Sequence, residues 1–387
     1  MNGTKKLYDM DSYATDFEAV VISCEKIEDK EECVYQIVLD QTLFSPEEGG
    51  QSPDKGIIND IEVIDVQIIQ GIIYHSTRKM LSPGTQVHGK IDWNHRFNNM
   101  QQHSGEHIFS GLVNKIYGYD NVGFHLSNQT VTMDFNGVLT LQQVEEIEQK
   151  VNEVIQSNLP IIVSYPTKEE LKDLNYRSKI EIEGQVRIVT ILDTDVCACC
   201  APHVRSTGEI GFLKVMTLQN YKGGVRISIL CGFRALYEFR KKNALLTEIA
   251  SMFSTNQEAL PMIIQKLKDT NQALKYELIE MKKDNLNHAI ASIPNNQEDV
   301  ILFEDGLDTI IMRNAVNELT KKHTGICGVF TKTEENGYQF ILGSSTKDVK
   351  DVMAKLKEHL DVRGGGSPTM VQGSVLANKA DIIHILS

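Results

Sequence analysis

Between residues 18 and 90 the apolar positions fall in short runs. Ala19-Val-Val-Ile-Ser23, Cys33–Leu39, Ile61–Val66, Ile68-Ile69 and Gly71–Tyr74 read as strands. Glu48-Gly-Gly50, Ser52-Pro-Asp54 and Ser82-Pro-Gly84 read as turns between them. Short strands at this spacing predict a small N-terminal β-barrel over residues 1–90. The period then lengthens. Arg96–Tyr117 reads as a helix, and so does Leu139–Ser157, where Leu141, Val144, Ile147, Val151, Val154 and Ile155 form an apolar stripe behind a Thr140 N-cap. Strands at Gln129–Met133, Ile161–Ser164, Val186–Ile191 and Val225–Leu230 surround the two helices and predict an α+β domain over 91–232.

Residues 233–290 read as a charged helical linker that Pro261 divides in two. In its second half Ile264, Leu267, Leu274, Leu278 and Met281 follow a 3-4 spacing, with Asn271 at an a-type position. Such a stripe packs on its own domain or pairs with a second copy as a homodimer. Over 291–387 strands at Val300–Phe303, Gly328–Phe330 and Tyr338–Leu342 alternate with helices near 307–322 and 347–360, an α/β pattern. Asp361-Val-Arg-Gly-Gly-Gly-Ser-Pro is expected to open a final helix. The fold class expected is α+β multidomain.

Composition narrows the chemistry. The chain has 387 residues, 41% hydrophobic and 24% charged, an ordinary globular balance with room for more than one core. No apolar run reaches the roughly 20 residues that span a bilayer, and the first residues carry no apolar signal segment, so a cytoplasmic protein with no membrane partner is expected. Seven cysteines, an odd number, argue for reduced thiols rather than a disulfide framework. The net charge of −13 leaves any nucleic-acid binding to a local basic patch.

His103-Ser-Gly-Glu-His107 places two imidazoles on one helix face, and Cys199-Cys-Ala-Pro-His203 places a thiolate and a third imidazole on one loop. Three nitrogens and one sulfur suit a tetrahedral zinc site. Cys197 or Cys200 could replace Cys199 in that set.

Four stretches in chain order carry a resemblance: Thr42–Gly56, Met100–Gly111, Asp195–Gly211 and Gly364–Gly373. Together they resemble the freestanding alanyl-tRNA editing proteins, the AlaX group, in the long form that carries the C-terminal domain of alanyl-tRNA synthetase. The resemblance spans essentially the whole chain. It implies an ATP-independent deacylase acting in trans on tRNA(Ala) mischarged with serine or glycine, with no aminoacylation activity. His103, His107, Cys199 and His203 carry over as zinc ligands. The loop departs from the family's common Cys-Gly-Gly-Thr-His, and Glu48 and Ser367 stand where a glycine and a basic residue are frequent.

Further roles are expected from the same stretches. Gly49, Gly50 and Gln51 would let the RNA 3′ end approach the backbone, and Thr42 would hydrogen-bond a seryl hydroxyl. Gln51, Glu106 and His125 are candidates for orienting water or moving a proton. Arg226 and Arg234, in the basic set with Lys222, Arg240, Lys241 and Lys242, are expected to meet tRNA. Gly364, Gly365 and Gly366 are expected to do so as an anion-binding nest. Two other readings stay open: a noncatalytic RNA-binding protein with structural zinc, and an inverted-zincin metallopeptidase, whose H-x-x-E-H signature His103–His107 also satisfies.

Overall fold

The computed structural model describes residues 3–28, 33–127, 130–178, 185–334 and 337–386. The chain separates into two compact units, Met1–Glu248 and Ile249–Ser387.

The first unit begins with eight strands: β1 (Lys5–Lys6), β2 (Asp16–Glu28), β3 (Cys33–Leu39), β4 (Gln41–Thr42), β5 (Gly56–Ile58), β6 (Ile61–Ile69), β7 (Ile72–Thr77) and β8 (Gln86–Ile91). Six of them pair antiparallel in the order β2-β3-β7-β6-β5-β8, and β8 pairs back onto β2, so the ring of pairings closes. Alternation fills its interior: along β8, Val87, Gly89 and Ile91 are buried while Gln86, His88 and Lys90 are exposed. Phe17, Val21, Ile37, Leu39, Phe44, Val66 and Ile73 complete the core.

Helix α1 (Trp93–Tyr117) follows directly. It starts three residues earlier than its apolar pattern indicates, because the Asp92 side chain accepts the His95 amide as an N-cap. Sixteen of its 25 residues are buried, and nine of those are polar or charged (Arg96, Asn99, Gln101, Gln102, His103, Ser104, Glu106, His107 and Ser110). A buried polar stripe of that size needs a partner for each group. Gln102 meets the backbone of Cys231 with both ends of its amide, at 2.9 and 2.7 Å.

Around α1 lie β9 (Asn121–Leu126), β10 (Val131–Phe135), α2 (Leu141–Gln156), β11 (Ile161–Ser164), α3 (Lys168–Asp173), β12 (Ile188–Ile191), β13 (Asp195–Ala198), β14 (Leu213–Tyr221), β15 (Gly224–Cys231) and α4 (Gly232–Met252). The strands form one sheet ordered β14-β15-β10-β9 and another ordered β11-β12-β13. Thr140 caps α2 through a reciprocal bond with Gln143, and Val144, Ile147, Val151 and Ile155 are buried. Leu141, assigned to that stripe, is exposed.

A buried ion pair ties α1 to the closed ring. The Arg96 guanidinium donates to the Asp54 carboxylate through Nε at 2.9 Å and again through Nη2, and to the carbonyls of Ser12 (3.0 Å) and Leu43 (2.6 Å). Neither side chain is exposed.

The second unit holds α5 (Leu260–Ala291), β16 (Val300–Phe303), α6 (Thr309–Lys322), β17 (Cys327–Lys332), β18 (Tyr338–Gly343), α7 (Val349–His359), β19 (Asp361–Ser367), β20 (Met370–Leu376) and α8 (Lys379–Leu386). Its mixed sheet runs β16-β17-β18-β20-β19. Pro261 sits in the first turn of α5, where its missing N–H costs nothing. The 3-4 stripe from Ile264 to Met281 is exposed.

The glycine run corrects an expectation. Gly364, Gly365 and Gly366 belong to edge strand β19, register-paired with Gly373, Gln372 and Val371, and do not open a helix. In an extended strand successive N–H groups point to opposite edges, so they cannot converge on one anion. Their smallness serves the hairpin: a Cβ on Gly364 or Gly366 would fall 2.3 or 2.2 Å from a β20 carbonyl. The final helix comes twelve residues later, as α8. No helix among the described residues is long and apolar enough to cross a membrane.

Asp54→Ala strands the buried Arg96 charge. It is expected to destabilise the first unit by roughly 3 to 5 kcal/mol, read as a lower denaturation midpoint in urea.

Candidate metal centre

One helical turn separates His103 from His107 on α1, and β13 delivers the loop carrying Cys199 and His203 to the same face. Arg187 pins that loop, Nη1 donating to the Cys199 carbonyl at 2.7 Å and the Ala201 carbonyl at 2.9 Å. The ring centroids of His103, His107 and His203 lie 4.6–5.3 Å apart. Cys199 Sγ is 3.5 Å from His103 Nε2 and 3.4 Å from His203 Nε2. Zinc bonds of about 2.05 Å to nitrogen and 2.3 Å to sulfur at the tetrahedral angle place those atoms about 3.5 Å apart. The donor set therefore fits a zinc-sized ion at its centre, with one ligand atom from each of the four residues.

The electrostatics single out Cys199 among the three neighbouring cysteines. Burial pushes its thiol up, but His103 and His203 pull it well below the ordinary thiol range. Burial raises Cys200, and it raises Cys197 as well. His203 is driven down to about 3 by burial and its neighbouring imidazoles, so it stands neutral with a lone pair to give. Against the pull of burial, Cys197, Asp195 and Cys199 raise His107, so these surroundings favour a cation.

The second nitrogen of each imidazole is held by a different part of the chain. His103 Nδ1 lies 2.7 Å from Gln51 Oε1, His107 Nδ1 lies 2.9 Å from Asp195 Oδ2, and His203 Nδ1 lies 3.0 Å from Ser104 Oγ. An amide oxygen and a carboxylate only accept, so Nδ1 carries the proton in His103 and His107, and Nε2 is left to bind metal. Arg177 completes the shell, donating to Asp195 through Nε at 2.7 Å and Nη2 at 2.9 Å. Gly111, one turn beyond His107, makes room for Asp195: a Cβ there would sit 2.7 Å from the aspartate Cβ.

Gln51, expected to touch substrate or move a proton, is buried and orients His103. It is carried there by a tight turn in which Gly49 (φ 62°) and Gly50 (φ 82°) take left-handed conformations. Gly50 packs onto β9, where a Cβ would fall 2.3 Å from the Phe124 carbonyl. Its smallness thus admits the protein's own backbone, and of the pair only Gly49 faces open space.

Glu106 is buried. Oε1 accepts from Ser110 (2.7 Å) and Asn121 (2.6 Å), and Oε2 lies 4.0 Å from His107 Nε2. His125 requires a correction. On β9 Phe124 packs against the His103 ring at 4.9 Å, so strand alternation sends the exposed His125 to the opposite face, away from the cluster.

Thr42 is fully buried beside His75, with Oγ1 2.9 Å from Nε2. His75 Nδ1 faces the Ile37 carbonyl, which fixes that proton on Nδ1, and burial pushes the imidazole down to about 4. Nε2 is then an acceptor, and the Thr42 proton is committed to it. The Phe44 amide takes one lone pair of Oγ1 at 3.1 Å, leaving the other as the only polar capacity Thr42 can offer a ligand.

The two arginines expected at RNA are engaged within the fold. Arg226 forms a fork on Asp134 at 2.6 and 2.7 Å and stacks on Tyr221, while Arg234 donates to the Ser127 carbonyl (2.8 Å) and Asn99 (2.7 Å). Sequence reasoning missed Asp195, Arg177 and Ser104 as supports. Only Asp195 carried a local signal, its place four residues before Cys199.

Asp195→Asn is expected to weaken zinc affinity about 10- to 100-fold in chelator competition, because the tether loses its charge. His75 makes the fold pH-sensitive. With a folded value near 4 against 6.5 unfolded, stability present above pH 6.5 is lost as pH falls toward 4, by about 3 kcal/mol. His75→Gln should flatten that part of the profile in urea denaturation at stepped pH.

Two family models match the chain: tRNA synthetases class II (A) over residues 5–95, and the threonyl and alanyl tRNA synthetase second additional domain over residues 186–228. The rat alanyl-tRNA editing protein Aarsd1 is 28% identical over 97% of this chain and 96% of its own length. The Pyrococcus horikoshii alanyl-tRNA editing protein AlaX-L is 26% identical over 98% of this chain and 97% of its own. Aarsd1-A of Xenopus laevis reaches 32% identity over 71% of this chain and 70% of its own length. Similarity that runs end to end on both sides, and at its highest identity still takes in most of the relative, makes this chain a member of the alanyl-tRNA editing protein family.

Proposed function

We propose that this protein hydrolyses the aminoacyl ester of tRNA(Ala) mischarged with serine or glycine, acting in trans in the cytoplasm and without ATP. The observation that carries this reading is the convergence of His103, His107, Cys199 and His203, in a member of the editing family, with every Nδ1 tethered. Those four residues would hold zinc, which when bound supplies positive charge beside the ester carbonyl and the substrate amine.

The remaining groups act on the substrate or on the ligands. Gln51, Asp195 and Ser104 keep the imidazoles from turning. The remaining lone pair of Thr42 Oγ1 would accept a hydrogen bond from a seryl hydroxyl, a bond that alanine cannot make, which would favour serine. Glu106 Oε2, 4.0 Å from His107 Nε2, faces the cluster, a position that supports a role in orienting the attacking water. An ester to ribose is an activated bond, so positioning contributes much of the required rate.

A structural role for the metal has one observation in its favour: four protein ligands close the coordination sphere. The inverted-zincin reading calls for a carboxylate as third ligand, whereas Cys199 and His203 fill that side. The exposed stripe of α5 supports a homodimer through the second unit.

Deacylation of Ser-, Gly- and Ala-tRNA(Ala) tests the proposal. The wild type is expected to release serine and to leave Ala-tRNA(Ala) intact, and Cys199→Ala to lower kcat/KM by at least about tenfold. A folded Cys199→Ala protein working at the wild-type rate would assign the metal a structural role only.

A further inference from the structure

We infer that a groove at the start of α4 receives the single-stranded end of the RNA, a binding surface that rests on the deacylase reading above. The groove encloses about 720 Å³ and lies wholly within the first unit, between Asn98 of α1 and residues Phe233, Arg234, Tyr237, Arg240 and Lys241 of α4. Phe233 is 61% exposed and Tyr237 is 71% exposed. Large aromatic rings that stand in water on a helix otherwise anchored by buried Ala235 have no packing role to explain them. They are four residues apart, hence on one face and about 6 Å apart along the axis. That spacing presents two consecutive platforms on which unpaired bases can stack, the usual way in which single strands are held.

Charge selects RNA over an apolar protein partner. Across α4 four cations (Arg234, Arg240, Lys241 and Lys242) stand against two anions (Glu238 and Glu248), in a chain of net charge −13. Glu238 also lines the groove, but Lys242 lies 3.8 Å from it and offsets its charge. Arg240 and Lys241 are exposed on the same helix face as the two rings, placed to meet a backbone whose bases lie on those rings. Asn98 adds an acceptor: its Nδ2 donates to the Asn94 carbonyl, and Oδ1 has no partner.

One wall of the groove is tied to the helix that carries the metal centre. Its wall residue Arg234 donates to Asn99, which lies one turn before His103 on the same face of α1, about 6 Å along the axis. A strand held on Phe233 and Tyr237 would thus lie against the same helix that presents His103 and His107. Stacking reads no sequence, so this surface contributes affinity rather than ester selection.

The test uses the full-length zinc-loaded protein and three RNAs: a tRNA(Ala) transcript, a single strand ending in CCA, and a blunt duplex. The wild type should bind the first two better than the duplex. Phe233→Ala and Tyr237→Ala should each weaken the single strand about tenfold in fluorescence anisotropy and raise KM for Ser-tRNA(Ala). Arg240→Gln with Lys241→Gln should reduce the slope of log affinity against log salt by about 1.4, two phosphate contacts at about 0.7 each. Zinc content and unfolding midpoint check that each variant is folded. Unchanged affinity and slope would overturn the inference, as would blunt duplex binding as tightly as the single strand. A change in sedimentation mass accompanying the loss of affinity would reassign the face to a protein contact. None of these results depends on ester cleavage, so failure of the deacylase reading shows separately, as wild type that binds RNA and releases no serine.

Discussion

An imidazole can offer a metal either nitrogen, and three of them agree on a centre only if something fixes each ring. Here that constraint is met by Gln51 from the turn before β5, Asp195 from β13 and Ser104 from α1 itself. Much of the first unit exists to bring these three together. The turn must dock on β9, β13 must lie against the Gly111 notch of α1, and α1 must be seated on the closed ring of strands. The Arg96–Asp54 pair, with neither side chain exposed, secures that last placement. Loss of any one seat frees a ring to rotate, which is why supports far from the cluster in sequence carry as much of its geometry as the ligands do.

The buried polar face of α1 is an unusual solution. Alongside the core residues Met100, Ile108, Phe109, Leu112 and Val113, each unpartnered polar group on this helix costs free energy. The fold answers with side chains that imitate backbone. Gln102 completes the end of β15, and Gln101 caps the Glu209 carbonyl at 2.8 Å. Glu106 binds Ser110 and Asn121 in the same spirit, so most of the buried polar groups of the helix around the donor cluster are paired, Gln101 Oε1 being an exception.

How much of this the chain announced depends on whether the cause was local. The i, i+4 histidines and the Cys-x-x-x-His loop were legible because their spacing is itself the geometry. The strands of the N-terminal ring and the two amphipathic helices were legible through period. The Asp92 cap extended α1 beyond its apolar pattern, since capping is set by one side chain and not by periodicity. His125 was misassigned because its face depends on where Phe124 packs, a tertiary fact. The glycine run of β19 was read as a nest because three glycines permit many backbones, and only pairing with β20 selects the extended one. Gln51 was singled out for substrate contact or proton transfer, but its bond to His103 was not legible, because that partner is 52 residues away.

Arg177 deserves a last consequence. His107, Asp195 and Cys197 also bring their donor atoms within chelating distance of one another, behind the first set. Both oxygens of Asp195 are already claimed by the guanidinium, whose fixed positive charge occupies the ground a second ion would need. The fixed charge beside Asp195 therefore disfavours a cation at that second group of donors.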